Sequence, residues 1–453
     1  MRDELKLLRD ADRLAHAYTA STEARRVFPS ASDKSALDAL AVDLPDQAGD
    51  PADTLALLQR YAEPATVTSN GPNYFGFVIG AVLPAAAAAD RLVSAWDQCA
   101  SAHLNSPAVA AIEHIAAGWL LEVLDLPRQS SVGFGTSATA CGLACLATAR
   151  QTLLARRGWD VAQRGLTGAP RIRVVVSATA HVTIHKILRV LGFGGDDIHV
   201  VDVDAHGCID VSRIPVVDDT TILCLQAGEV NTGEFDAFAS IIPHARASGA
   251  WVHVDGAFGL WARASAQYRH LTHGVEDADS WTTDGHKWLN TPYDCAMAIY
   301  RDGALASQTL NAGAAYAQSE DSAQKNLTLE FSRRARGVAV WAALHSLGKQ
   351  GVAELVNQCC RHATALADGC RELGIPVLNR VVLNQVLCGF DDERDTQGLV
   401  DAIQEDGRVW FGGTRWHNRA AFRLSVSSWR TEQRHIERCL AIIREHLPAA
   451  TRR

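Results

Sequence analysis

The spacing of apolar residues along the chain changes near residue 130. Over residues 1–70 apolar side chains recur at helical intervals, and polar turns such as Pro45–Pro51 interrupt them. Amphipathic helices with little apolar surface between them cannot form a large core of their own. We therefore predict a helical segment over residues 1–70 that packs on another surface.

Apolar runs alternate with helical periods from about residue 130 to residue 302. The pattern predicts helices over residues 181–191 and 235–247, and strands over residues 172–176, 198–203, 221–225 and 251–254. Strands that are apolar along nearly their whole length, with helices between them, are typical of a parallel sheet covered on both faces. Ligands bind at the carboxyl ends of the strands in such sheets.

The chain becomes rich in helical patterns after about residue 332. Two short strands are predicted over residues 381–389 and 422–426, and a last helix follows Thr431. These elements predict a small α+β lobe. The expected domains are an N-terminal helical segment (residues 1–70), a large α/β domain (71–331) and a small C-terminal domain (332–453).

Composition and charge exclude several classes of protein. The chain has 43 Lys and Arg against 51 Asp and Glu, a net charge of −8, so it lacks the basic character of a nucleic-acid binder. The most apolar stretch, residues 78–89, is too short to cross a bilayer, and the N-terminus lacks the apolar core of a signal peptide. The 11 cysteines form no C-x-x-C pair, which favours reduced thiols in a cytoplasmic protein.

Lys287 is the lysine best suited to chemistry among the few in the chain. It follows the strand-like residues 280–283 in the segment Asp284-Gly285-His286-Lys287-Trp288, with an apolar Trp-Leu pair after it. A lysine that forms a Schiff base works in an apolar, partly desolvated setting. Taken alone, Lys287 is explained equally well as a structural lysine that extends its amine from a strand end into water.

Asp255 and His181 suggest what Lys287 would hold. Asp255 follows the predicted strand over residues 251–254, where a carboxylate could face the ring nitrogen of pyridoxal phosphate (PLP), although a turn or helix-capping aspartate would look the same. His181 stands at a strand-to-helix junction, where its ring could stack on a cofactor. The alternative for His181 is a zinc helix with His185, but the glutamate of H-E-x-x-H is missing and no third ligand is evident, so we expect no metal.

A run of small residues could bind a phosphate. Residues 133–142 (Gly-Phe-Gly-Thr-Ser-Ala-Thr-Ala-Cys-Gly) lead into a helical pattern over residues 143–150. Small side chains let backbone N–H groups at a helix N-terminus close on an anion. Such runs are usually ordinary turns, and this one matches neither a Walker A loop nor a G-x-G-x-x-G motif.

In this chain order the elements resemble group II PLP-dependent amino-acid decarboxylases, the aromatic-amino-acid and glutamate decarboxylase family, in their shorter bacterial form. The resemblance implies PLP fold type I, the aspartate-aminotransferase-like α/β fold with a mixed, mostly parallel sheet. It also implies a homodimer with active sites at the subunit interface, in which residues 1–70 serve in dimerisation. The segments that carry the resemblance are residues 26–29, 71–78, 94–98, 136–139, 181, 230–236, 253–257, 284–288 and 332–337.

The resemblance also implies roles for individual residues. Lys287 would form the Schiff base with PLP, Asp255 would pair with the pyridine nitrogen and His181 would stack on the ring. Other positions would shape the site: Ala257 under the ring, Ala138, Thr139 and His286 around the phosphate, Asn231 near the cofactor, Phe75 and Phe77 in the substrate pocket, and Asp97 and Gln98 across the dimer interface.

The expected reaction is α-decarboxylation of an L-amino acid to CO2 and an amine. In this family a mobile loop usually carries a tyrosine that protonates the substrate carbon after CO2 leaves. The corresponding loop here, residues 318–330, has none, and Tyr316 precedes it. An aldolase or an oxidative, aldehyde-forming decarboxylase therefore stays open, as does a catalytically silent PLP-fold protein.

Three further positions depart from the family or stay undecided. Cys99 stands where an asparagine is usual, and Asp284 places an acidic group beside the predicted phosphate site. Arg423 could bind a substrate carboxylate or brace the small lobe, and we favour bracing. The identity of the amino acid cannot be derived from the sequence.

Overall fold

A computed structural model of the protein describes residues 4–311 and 319–447. Contacts between Cα atoms divide the chain into two compact units. The first contains Met1–Ala81, His362–Leu378 and Val386–Arg453, and the second contains Val82–Arg361 and Asn379–Gln385. The domain boundaries expected at residues 70 and 331 stay predictions.

The α-helices alternate with strands through the middle of the chain. Residue Gly348, with φ 61°, interrupts the long α11. The described helices are α1 (Glu4–Ser21), α2 (Ala31–Ser35), α3 (Pro51–Leu57), α4 (Pro84–Trp96), α5 (Pro107–Val123), α6 (Ala138–Arg156), α7 (Val161–Arg164), α8 (Val182–Val190), α9 (Phe238–Ala247), α10 (Gly303–Leu310), α11 (Arg336–Glu372), α12 (Glu393–Asp406) and α13 (Gln433–Glu445). The described strands are β1 (Ser131–Gly135), β2 (Arg173–Ser177), β3 (Ile198–Val201), β4 (Thr221–Gln226), β5 (Trp251–Asp255), β6 (Ser280–Asp284), β7 (Ala296–Tyr300), β8 (Gln385–Cys388), β9 (Gly412–Trp416) and β10 (Arg419–Ser425).

The second unit is built on a mixed, mostly parallel sheet, which confirms the α/β fold expected from the sequence. Its described strands follow the order β1-β7-β6-β5-β4-β2-β3, and β7 runs antiparallel to both of its neighbours. Every residue of β4 is buried, as befits a strand covered on both faces. Helices α6 and α8 contribute Leu146, Leu153, Ile184 and Leu188 to the core on one face.

Strands β1 and β7 were not predicted, and glycine explains part of the omission. The β1 sequence Ser-Val-Gly-Phe-Gly looks like a turn, yet its glycines serve close packing. A Cβ on Gly133 would lie 2.4 Å from the carbonyl oxygen of Leu327. The prediction that a helix begins near residue 143 was also late, because α6 begins at Ala138, after the capping residue Ser137.

The first unit contains the small antiparallel sheet, in the order β8-β10-β9, together with α12 and α13. Backbone hydrogen bonds join the N-terminal segment to this lobe. The N–H of Val27 donates to the carbonyl of Gly407 (2.7 Å), that of Phe75 to Trp410 (2.8 Å), and that of Ser425 to Phe75 (2.9 Å). The segment before residue 81 therefore packs on the C-terminal lobe, to which it is distant in sequence.

Helix α1 has an apolar face that its own unit does not cover. None of its residues is buried, and Leu5 and Leu8 are 70% and 55% exposed. Across the described residues, no helix combines the length and the apolar character needed to cross a membrane.

Candidate active site

Segments far apart in sequence meet at one edge of the seven-stranded sheet in the described part of the second unit. Strands β1 and β6 both run antiparallel to β7, and β6, β5, β4 and β2 are parallel to one another. Their carboxyl ends therefore share an edge. Ala138 follows β1, His181 follows β2, Asp255 ends β5, and Lys287 follows β6.

Lys287 lies in the turn after β6 with its side chain 23% exposed. Trp288 and Leu289, the residues after it, are fully buried and anchor the turn in the core. The amide of Asn290 donates to the Lys287 carbonyl (3.1 Å) and to the Trp288 carbonyl (2.8 Å). The chain therefore holds the backbone of Lys287 rigidly and leaves its amine at the sheet edge.

Asp284 contacts both the lysine and the start of α6. Its Oδ2 lies 3.2 Å from the Nζ of Lys287, and its Oδ1 accepts the backbone N–H of Ala138 at 2.7 Å. The side chain of Asp284 is only 3% exposed. An acidic group was noted beside the predicted phosphate site, but its bond to Ala138 could not be foreseen, because the two residues are joined only through the folded sheet.

The N-terminus of α6 is shaped for an anion. Ser137 caps the helix, and its side chain accepts the N–H of Ala140 at 3.2 Å. The N–H of Ala138 points to a carboxylate instead of to a helix carbonyl. Free N–H groups at a helix start favour negative charge through the helix dipole. Ala138 and Thr139, both predicted to contact a phosphate, lie in this first turn.

Asp255 is held at the end of β5 by its neighbours. Its Oδ1 accepts the N–H of Ala257 at 3.1 Å, and the carbonyl of Ala257 accepts the N–H of Asp284 at 2.9 Å. A Cβ on Gly256 would lie 2.7 Å from the Cβ of Leu260, so this turn passes close to the following helical turn. Ala257 thus links the Asp255 carboxylate to the segment that carries Lys287.

His181 is the N-cap of α8, and Thr183 fixes its ring. The Thr183 Oγ1 lies 2.7 Å from Nδ1, which also accepts the Thr183 N–H at 3.4 Å. A neutral ring that accepts at Nδ1 carries its proton on Nε2. Thr183 was missed in the sequence, where the only signal is a hydroxyl two residues after the capping position.

His286 is buried beside the lysine. Its Nδ1 accepts the N–H of Cys295 at 3.1 Å, and its ring stacks on Tyr293 with centroids 4.2 Å apart. Burial lowers the pKa of His286, against the opposing charge of Asp284, which favours the neutral ring. The proton of that ring then lies on Nε2, 3.7 Å from Asp284 Oδ1. Tyr293 was also missed.

Asn231 lies in the turn after β4, where Glu229 binds it. The Glu229 carboxylate accepts the backbone N–H of Asn231 at 2.7 Å and that of Thr232 at 2.7 Å, and the Asn231 amide lies 3.3 Å from it. Glu229 therefore organises this turn. A contact of Asn231 with a cofactor stays a prediction.

The predicted pocket residues Phe75 and Phe77 belong to the first unit and differ in exposure. Phe75 is fully buried, whereas Phe77 is 62% exposed and stacks on Trp410. The carbonyl of Phe77 accepts bonds from Arg423 Nη2 (3.0 Å) and Ser425 Oγ (2.6 Å). Arg423 therefore braces the backbone at Phe77, which has a φ of 52°. Of the two aromatic rings, only that of Phe77 is exposed, and a contact of either ring with a substrate stays a prediction.

Asp97 and Gln98 lie at the end of α4. Asp97 caps the helix with a φ of 46°, and its N–H donates to the Val93 carbonyl at 3.1 Å. Both side chains are exposed, and Gln98 turns its amide to the Trp96 carbonyl at 2.8 Å. Their predicted place across a dimer interface stays a prediction. Tyr316 lies outside the described residues.

The residues at the sheet edge fit PLP in chemical type. The first turn of α6 directs a backbone N–H group to a negative charge, that of the Asp284 carboxylate, as helix N-termini do with phosphates. An amine, a carboxylate and an imidazole with a fixed tautomer stand at the ends of three parallel strands. These are the groups that a protein supplies to PLP.

A family model and curated relatives match the chain. The model described as the pyridoxal-dependent decarboxylase conserved domain matches residues 35–382. Tryptophan decarboxylase 1 of Oryza sativa is 25% identical over 470 residues, with 94% of this chain and 90% of that protein covered. A phenylacetaldehyde synthase of Arabidopsis thaliana is 23% identical over 443 residues, with 89% and 88% covered.

Solved structures share the fold. The crystal structure of Oryza sativa TDC with PLP and tryptamine superposes with a TM-score of 0.90 and covers 98% of both chains at 23% identity. At that identity the likeness is one of fold. It agrees with PLP fold type I, which the family resemblance implied.

Proposed function

The chain belongs to the pyridoxal-dependent decarboxylase family, and we propose that it is a carboxy-lyase that converts an L-amino acid to CO2 and the corresponding amine. The observation that carries the proposal is the meeting of Lys287, Asp255, His181 and the α6 N-terminus at one sheet edge. When bound, PLP withdraws electrons from the bond to the departing carboxylate. The chain's own residues hold the cofactor, orient it and manage protons.

Each residue has a separate task in this proposal. The amine of Lys287 anchors the cofactor covalently, and the Asp255 carboxylate keeps the ring nitrogen protonated. His181 stacks on the ring with the tautomer that Thr183 imposes. The first turn of α6, with Ala138 and Thr139, binds the phosphate, and His286 donates to it from Nε2. Ala257 packs under the ring, and Asn231 lies near it.

Removal of the anchoring amine tests the cofactor assignment. Lys287→Ala should abolish the visible absorption band that borohydride bleaches, and Lys186→Ala, which removes an exposed lysine of α8, should keep it. Asp255→Ala should still bind PLP yet lose turnover. Retention of the band in Lys287→Ala would contradict the anchoring role, and near-normal turnover in Asp255→Ala would contradict the role of the carboxylate.

A second reaction remains as an alternative because the loop lacks a tyrosine. Residues 318–330 contain none, so the group that returns a proton to the substrate carbon differs from that of the family. The relatives include a phenylacetaldehyde synthase, which supports an oxidative, aldehyde-forming reaction, and an aldolase reaction also remains. CO2, amine, aldehyde and peroxide should be measured together over a panel of amino acids. CO2 with an equal amount of amine supports the decarboxylase, whereas aldehyde with peroxide supports the alternative.

The protein acts as a cytoplasmic homodimer in this proposal, with residues 1–70 as the dimerisation segment. The exposed Leu5 and Leu8 on α1 support it, because a partner would cover this apolar face. Asp97 and Gln98 would approach the partner's substrate pocket, to which Phe75 and Phe77 belong. In light scattering, Leu5→Asp with Leu8→Asp should shift the mass from dimer to monomer, and Lys6→Asp should not. An unchanged dimer in the double variant would remove α1 from the interface.

A further inference from the structure

Asp284 occupies the helix start that the proposed function assigns to the cofactor phosphate. Its Oδ1 accepts the N–H of Ala138 at 2.7 Å, so a side chain of the protein itself supplies the anion at the α6 N-terminus. The contact is buried, because the Asp284 side chain is only 3% exposed. A phosphate that used the same N–H group would meet this carboxylate at close range.

The backbone of Asp284 is fixed, so only its side chain can move. It is the last residue of β6, where it pairs with Ala296 of β7. Its N–H donates to the Ala257 carbonyl at 2.9 Å, and its carbonyl accepts from Trp261 Nε1 at 3.1 Å. An incoming anion cannot push the strand aside. It can only turn the carboxylate away from Ala138.

The same carboxylate pairs with the anchoring lysine. Its Oδ2 lies 3.2 Å from Lys287 Nζ, and its Oδ1 lies 3.7 Å from His286 Nε2. Burial lowers the pKa of His286, which favours its neutral ring and leaves the Lys287 amine as the ion-pair partner of Asp284. One buried carboxylate therefore connects the phosphate-binding helix start to the amine that holds the cofactor.

We propose that Asp284 is a positioning residue that couples these two contacts. In the cofactor-free enzyme it serves as an internal anion at the α6 N-terminus and keeps the Lys287 ammonium paired. A phosphate at the helix start displaces the carboxylate by charge repulsion, which is strong at short range in a buried site. Displacement also breaks the pair with Lys287. The inference rests on the proposed function, and it makes anion binding and release of the lysine two parts of one event.

Asp284→Asn is a near-isosteric test, because an amide oxygen can still accept the Ala138 N–H without a negative charge. Apoenzyme should be titrated with PLP and with pyridoxal, which lacks the phosphate, by absorbance at equilibrium. We expect the substitution to raise the affinity for PLP by a factor at least ten times the factor by which it changes the affinity for pyridoxal. Equal gains for both compounds, unchanged PLP affinity or weaker PLP binding would overturn the proposal.

A second measurement uses the unmodified chain and does not depend on the folding of a variant. Pyridoxal should be titrated with and without inorganic phosphate, against sodium chloride at the same ionic strength. If phosphate displaces Asp284 from Lys287, it should raise the affinity for pyridoxal several-fold. The same titration in Asp284→Asn should show a much smaller gain, because the coupling residue is absent. No gain in the native chain, or an equal gain in the variant, would contradict the coupling.

Asp279→Asn is the matched control. Asp279 directly precedes β6, at the opposite end from Asp284, and accepts the Val252 N–H at 2.8 Å. This variant should leave both titrations unchanged. The coupling and the proposed function can fail separately. A native chain that forms no Lys287-dependent absorption band with PLP would contradict the proposed function. Normal PLP binding with no effect of Asp284→Asn would remove only the coupling.

Discussion

Glu113 and Arg333 form a buried, bidentate salt bridge in the second unit, which also contains the candidate active site. Arg333 Nη1 lies 2.7 Å from Glu113 Oε2 and Nη2 lies 3.0 Å from Oε1, with side chains 0% and 1% exposed. The same guanidinium donates to the carbonyls of Ala100 (2.6 Å) and Phe134 (2.7 Å). The pair therefore ties α5 and β1 to the segment just before α11, which lies within residues 332–337, one of the segments that carry the family resemblance.

Arg333→Met should destabilise the protein by about 3–5 kcal/mol, because it leaves the Glu113 carboxylate buried and without its partner. The double variant Glu113→Gln with Arg333→Met should lose less stability than Arg333→Met alone, since no buried charge is then left without a partner. Arg334→Met is the control, because its pair with Asp90 is exposed and should contribute less than about 1 kcal/mol. Urea denaturation measures all three. A double variant less stable than Arg333→Met would refute this account.

Gly76→Ala should disrupt the aromatic stack in the first unit. A Cβ at Gly76 would lie 1.9 Å from Trp410 Cζ3, and Trp410 stacks on Tyr74 with centroids 5.1 Å apart. We expect a loss of about 1–3 kcal/mol, the usual range for overpacking, and a change in tryptophan fluorescence. Gly49→Ala, where nothing lies within 4 Å, should leave both unchanged. Equal stability of the two variants would show that the stack is not tightly packed.

Thr183→Val should weaken the control of the His181 ring while it keeps the shape of the side chain. The variant loses the hydroxyl 2.7 Å from Nδ1, so of the two contacts with residue 183 only the longer bond from its backbone N–H (3.4 Å) still orients the ring. We expect kcat to fall about tenfold with PLP affinity changed less than threefold, and Thr183→Ser to restore kcat. Steady-state kinetics and a PLP titration separate the two effects. If Thr183→Ser is as impaired as Thr183→Val, the hydroxyl is not the cause.

His253 should make the protein acid-sensitive. Burial lowers its pKa to about 4, while an unfolded chain binds a proton near pH 6.5. Between pH 6.5 and pH 4 the unfolded state binds a proton at His253 that the folded state does not bind. The contribution of His253 to the free energy of unfolding is therefore fully present above pH 6.5 and falls by about 3 kcal/mol toward pH 4. His253→Gln should show a shallower loss in denaturation curves between pH 7 and 4. His244→Gln, on the exposed side of α9, should keep the native slope.

The sequence predicted the sheet well where its strands are continuously apolar. The runs that became β2, β4 and β5 could be recognised because both faces are buried. It failed at β1, whose glycines allow close backbone packing and look like a turn. It also missed β7, although the Ala-Met-Ala-Ile-Tyr run of that strand is as apolar and buried as the strands that were recognised.

For the site, residue type and position were predictable, but the partners were not. A lysine, an aspartate and a histidine after three strands follow from the pattern of the chain. The bond from Ala138 to Asp284, and the stack of His286 on Tyr293, depend on strand order and side-chain conformation. Neither is encoded in local spacing.

The position of β1 in the sheet also constrains the order in which the protein can fold and bind its cofactor. β1 emerges early in synthesis, yet its sheet partner in the described structure is β7, with Ser131 opposite Tyr300. The ribosome must synthesise the chain beyond Tyr300 before β1 can pair with β7. Pairing between segments so distant in sequence slows folding. Cofactor capture should therefore be a late event in biogenesis, and nascent chains that stop short of β7 should fail to retain PLP.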